Sequence, residues 1–126
     1  MAPTPAVFPA VFDLADLDGF NGFRLDGVDA GDLSGRSVAG AGDVNGDGIA
    51  DLIVGAHGAD ADGNRDAGES YVVFGTAAGF DDSLDLAALD GSDGFRLDGV
   101  DADDASGVSV AGAGDVNGDG IADLIV

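Results

Sequence analysis

Asp43-Val44-Asn45-Gly46-Asp47-Gly48-Ile49-Ala50-Asp51 is the stretch on which the reading of this chain turns, and it returns unchanged as Asp115 to Asp123. Oxygen-bearing side chains stand at positions 1, 3, 5 and 9 of the nine, with glycine at positions 4 and 6. That spacing suits a hard cation: calcium takes about six to eight oxygen ligands, and a tight loop presents alternate side chains inward. The expected donors are Asp43, Asn45, Asp47 and Asp51 through their side chains and Ile49 through its carbonyl. In the second copy they are Asp115, Asn117, Asp119, Asp123 and the Ile121 carbonyl. Gly48 and Gly120 supply the sharp turn that a Cβ resists. Asn-Gly and Asp-Gly also mark plain hairpin turns, but a plain turn leaves three carboxylates in nine residues repelling one another.

The residues just after the loop separate two architectures. An EF-hand requires a bidentate Glu at position 12, where this chain has Val54 and Val126. Leu52-Ile53-Val54 before Gly55 is a short, apolar, β-branched run, which predicts a buried strand.

Outward from the loop, the chain repeats. Phe23–Val54 and Phe95–Val126 lie 72 residues apart and differ at three of 32 positions: Gly31/Asp103, Leu33/Ala105 and Arg36/Val108. A looser match pairs Phe12-Asp13-Leu14-Ala15 with Leu84-Asp85-Leu86-Ala87, and Phe8 with Phe80. The implied domain organisation is a linker over 1–7, a full repeat over 8–79 and a partial one over 80–126. Repetition of this kind is the signature of stacked or radial architectures. Four strands are expected: Ser37–Gly42, Ala50–Ala56, Glu69–Gly75 and Gly94–Asp98. In the last, Phe95 and Leu97 alternate with Arg96 and Asp98, as on an outer, half-solvated strand. Leu84–Leu89 fits a single helical turn. Four short antiparallel strands per repeat, with many turns, describe an all-β fold built from blades of a β-propeller; a sandwich of unlike strands explains the long near-identical repeat less well.

Composition narrows the function. The 126 residues carry 25 acidic and 4 basic side chains, a net charge of −21. Nucleic acid and anionic membrane are poor partners for such a chain, because both demand clustered Lys and Arg. Cations are its natural counter-charge. The same acidity would suit a halophilic setting. With no cysteine and one histidine, His57, neither a thiolate site nor a His-based zinc site is easily built; His57 reads as a loop residue. No apolar run approaches the roughly 20 residues of a membrane span, and Met1–Ala10 lacks a basic leader segment. Adjacent carboxylates such as Asp81/Asp82 and Asp103/Asp104 read as solvated pairs rather than an acid–base couple, so no enzyme is expected. Arg24 and Arg96 read as partners of neighbouring aspartates, and Tyr71 and Phe74 as core.

These motifs, in this order, resemble the FG-GAP repeats of integrin α-subunit β-propellers and of bacterial integrin-like proteins. Gly35-Arg36-Ser37-Val38 and Gly107-Val108-Ser109-Val110 match the opening of the family's blade, the two nine-residue loops match its D-x-[DN]-x-D-G-x-x-D, and Phe74-Gly75 its aromatic–glycine pair. Gly55-Ala56-His57 departs from the usual Gly-Ala-Pro by one residue. The resemblance implies structural Ca2+ in the loops, a place at the outside of a cell, and protein or glycan partners recognised by the complete propeller. It implies, too, that the chain is a piece of a longer propeller, since such rings close with about four to eight blades. Ending on Leu124-Ile125-Val126 leaves a strand edge open to self-association. The competing reading is a dockerin-like calcium-dependent interaction module, which shares Asp-Val-Asn-Gly-Asp-Gly but requires an acidic position 12 and a helix after it.

Overall fold

A computed structural model describes residues 4–5 and 7–126; the remainder of the expected 1–7 linker lies outside the described residues. Ser37–Gly42 (here β2), Asp51–Ala56 (β3), Glu69–Val73 (β4) and Gly94–Asp98 (β6) form one antiparallel sheet in the order β2-β3-β4-β6. The remaining strands are Arg24–Asp26 (β1), Ser83–Asp85 (β5), Ala111–Gly114 (β7) and Asp123–Ile125 (β8). β7 and β8 pair antiparallel as the first hairpin of a second sheet. The fold is all-β, with sheets of propeller-blade type, and its only helical pieces among the described residues are single 3-10 turns at Leu14–Asp16, Ala61–Gly63 and Leu86–Ala88.

The four-stranded sheet follows the period-two rule on both faces. Val54, Ala56, Tyr71 and Val73 point to one side, where Leu86, Leu84 and Leu89 cover them. Ile53 and Val72 point to the other, together with Ala41, and there Val110 of the second repeat closes over them. β4 is buried along its whole length, while β6 alternates as expected, Phe95 and Leu97 inward and Arg96 and Asp98 outward. The sheet therefore takes its fourth strand from residues beyond 80.

Three expectations need adjusting. The strand expected over Glu69–Gly75 stops at Val73: the Phe74 N–H still meets the Asp93 carbonyl in the register of β6, but the Gly75 N–H turns to the Asp51 carboxylate. The expected helical turn narrows to Leu86–Ala88, with the Asp85 carboxylate accepting from the Ala87 N–H at its start. Strand pairing is also not antiparallel throughout: β1 lies parallel to β5, Leu25 opposite Leu84. β1 carries the same Phe-Arg-Leu-Asp as β6, yet no described residue ahead of it forms a strand of β4 type for it to join. It lies instead beside β5, where Phe23 stacks on Phe80 at 3.9 Å between ring centroids.

Candidate metal centre

Both nine-residue loops occupy the same place, the turn between the first two strands of a sheet. Each begins just past a bulge at Ala41 or Ala113. Gly42, Gly46 and Gly48 hold φ between +71° and +86°, backbone that L side chains rarely adopt.

The first-position aspartate organises each loop from inside. Asp43 Oδ1 accepts from the N–H groups of Gly46 (2.8 Å) and Asp47 (3.1 Å), and Oδ2 from that of Gly48 (2.8 Å). Asp115 repeats the arrangement with Gly118, Asp119 and Gly120, and these donors, the Gly120 N–H foremost, hold its carboxyl below the usual range. Asp47 accepts from the Ile49 N–H and from Asn45 Nδ2, and Asn45 Oδ1 in turn from the Asp47 N–H. Asp43, Asn45, Asp47 and Ile49 are thus drawn together, as are Asp115, Asn117, Asp119 and Ile121.

The ninth-position aspartate differs in its surroundings. Asp51 is 1% exposed, and its carboxylate joins the loop to the far end of β4: Oδ2 accepts from Val44 N–H at 2.8 Å and Oδ1 from Gly75 N–H at 2.9 Å. Asp123 keeps the equivalent bond to Val116 (2.7 Å) but is half-buried and has no second donor among the described residues. The spacing of Phe74-Gly75 from the loop was the sole hint of this link.

The donor set is all oxygen, which fits a hard cation in kind. As arranged, though, no three acidic or histidine side chains among the described residues are grouped to hold one ion, because the carboxylates are turned onto the loop's own N–H groups. Capacity remains. A carboxylate oxygen accepts along two directions, so Asp43 Oδ2, both oxygens of Asp47 and both of Asp51 each keep a direction free after the bonds described. After the ninth position comes β3, a strand and not the helix that a dockerin-type module requires.

The two loops also touch. The Ala122 N–H donates to the Asp43 carbonyl at 3.2 Å, and Ile121 sits over Gly46. Asn45 and Asp47 face a cleft of about 450 Å³ shared with Phe74, Phe80 and Asp93.

The other singled-out residues lie apart from the loops. Arg24 pairs with Asp26 and Arg96 with Asp98, exposed pairs along their own strands. Tyr71 is buried, its hydroxyl donating to Glu69. His57 lies in the turn after β3, half-buried, with Nδ1 unpartnered. Asp81, Asp82, Asp103 and Asp104 are all exposed, and Asp103 pairs with Arg65 at 2.8 Å.

Compared with known protein families, residues 34–73 match the FG-GAP repeat; the match spans β2, the first loop, β3 and β4. No curated protein matches the chain.

Proposed function

Residues 34–73 being an FG-GAP repeat in an all-β, propeller-type chain, we propose that the protein is a calcium-binding propeller segment of a cell-surface or secreted recognition protein, non-enzymatic, with the cation serving as architecture. The observation that carries the reading is the loop's duplication with every oxygen donor kept, Asp43, Asn45, Asp47, Ile49 and Asp51 against Asp115, Asn117, Asp119, Ile121 and Asp123. Asp43 already shapes the turn, and Asp51 already ties it to β4. A cation would draw Asp47 off Asn45 and offset the carboxylates' mutual repulsion, bracing the hairpin that begins each sheet. Protein or glycan partners would then be met by surfaces of the assembled blades, consistent with a net charge of −21 that disfavours nucleic acid and anionic membrane.

Thermal melting with and without calcium tests the metal. A ligand bound only by the native state at 100 times its Kd adds about 2.7 kcal/mol, and each kcal/mol raises Tm by roughly 2–8 °C across domains of about 60–250 residues. Millimolar calcium should therefore raise Tm by several degrees over chelator. Asp47→Ala together with Asp119→Ala, which removes an exposed carboxylate from each loop, should abolish most of that rise. Identical melting in calcium and in chelator would sink the reading.

A further inference from the structure

The cleft of about 450 Å³ beside Asn45 and Asp47 is closed on its far side by the connection from β4 to β6. It belongs to a single repeat, for each residue of its wall falls between Asn45 and Asp93. Both of its flanks are taken inside the chain. Residues 17–20 lie against residues 79–83 on one, and Ile121 and Ala122 lie against Gly46 and Asp43 on the other. Three carboxylates line the cleft, Asp47 and Asp81 exposed and Asp93 half-buried. Asp81 pairs with no arginine among the described residues, and Asp93 uses only Oδ1, for the Asp90 N–H at 3.0 Å. The half-buried rings of Phe74 and Phe80 supply the apolar part of the wall. None of the chain's four arginines lines it, nor does His57.

We propose that this cleft binds a basic peptide segment of a partner protein, with an arginine side chain as its anchor. A concave site lined by one sign of charge focuses the field on whatever enters it. A guanidinium suits this lining on two counts: it stacks on aromatic faces, and its fork of N–H donors meets carboxylate oxygens in pairs. A metal ion suits it less, because no three acidic side chains among the described residues are grouped closely enough to share one. A neutral sugar would cover Asp81 and Asp93 without supplying a counter-charge, and covering an unpaired charge is costly. A basic segment is the natural complement of a chain carrying −21, and the cleft is where that general attraction becomes specific. The inference stands apart from the calcium reading, since Asp81, Asp93 and both rings lie outside the nine-residue loop.

Amide NMR shifts of the isotope-labelled chain test it, titrated in chelator at about 0.15 M salt, where the Debye length is about 8 Å. The probes are a capped Gly-Gly-Arg-Gly-Gly peptide and its citrulline counterpart, which keeps the shape and lacks the charge. The arginine peptide should shift the Gly75, Thr76 and Ser83 amides saturably, and the citrulline peptide should bind several-fold more weakly. Asp81→Asn together with Asp93→Asn should weaken the arginine peptide several-fold; asparagine keeps an Oδ1 for the Asp90 N–H, so melting should hold. Asp29→Asn together with Asp62→Asn removes the same charge from exposed positions at the other end of the sheet. That pair should leave binding nearly unchanged, because charges farther off than a Debye length are largely screened. Should the Asp81 and Asp93 pair melt early, Asp81→Asn alone, at an exposed and unpaired position, carries the comparison in the same direction. An arginine peptide that gives no saturable shift overturns the proposal, as does equal binding of the citrulline peptide. So does a loss in the Asp29 and Asp62 pair as large as in the cleft pair, which would leave only diffuse attraction to an acidic chain.

Discussion

Asp51 and Asp123 have the same sequence around them and different work to do. The Asp51 carboxylate is buried and holds two N–H groups, one of them on Gly75, 24 residues away. Asp123 holds only its local one. Removing a buried charged acceptor strands its donors, at about 1.5–3 kcal/mol for a hydrogen bond to a charged group. Asp51→Ala should thus cost about 3 kcal/mol or more by denaturant unfolding, and Asp123→Ala roughly 1 kcal/mol; equal losses would refute the asymmetry. Tyr71 allows a second measurement, since the chain has one tyrosine and no tryptophan, so phenolate absorbance near 295 nm reports it alone. Burial first, and its hydrogen bond to Glu69 second, push its hydroxyl well above the ordinary 10.0. The neutral phenol is the form that the fold favours. Its contribution is therefore complete below about pH 10 and is lost as pH rises beyond it. Ionisation should coincide with alkaline loss of the β-sheet circular dichroism signal; a midpoint near 10 with the sheet intact would contradict the burial.

At the scale of elements, glycine decides how closely the two repeats approach. A Cβ on Gly55 would run into the Gly107 carbonyl, and one on Gly99 into that of Ala67. Gly40, on the same sheet, has open space and ordinary φ. Gly55→Ala should accordingly destabilise by about 2 kcal/mol or more, an overpacking cost, whereas Gly40→Ala should change stability by less than about 1 kcal/mol. Chemical denaturation of the two variants side by side checks this. The glycines on their own read as turn residues. Their role as contact points was not legible, since it depends on which backbone segment arrives opposite.

For the whole molecule, stability is unevenly distributed. β4 is buried from end to end between β3 and β6, while β7 and β8 form a two-stranded ribbon exposed on its outer edge. Local opening tracks burial and contact. In native-state hydrogen exchange at dilute concentration, amides of Val72 and Val73 should be among the slowest to exchange, and those of Leu124 and Ile125 faster by orders of magnitude, despite the identity of the β8 sequence with that of β3. Equal protection of β3 and β8 would disprove the difference.

Much of this protein was determined along the chain. Short runs of small, apolar and β-branched residues placed β2, β3 and β4, and period-two alternation placed β6, each to within two residues, because both patterns follow from side chains on a strand facing opposite sides. Loop spacing gathered Asp43, Asn45 and Asp47 by the same local logic, since Asx turns close within a few residues. Matters of neighbourhood were decided only by the tertiary structure. It set the parallel pairing of β1 with β5, the bond from Asp51 to Gly75, and the meeting of the two loops at Asp43 and Ala122. Val38 and Val110, like Ile53 and Ile125, stand in the same local sequence yet differ in burial from nearly complete to half exposed. A sequence specifies which face a side chain takes; whether anything covers that face depends on chain that arrives from elsewhere.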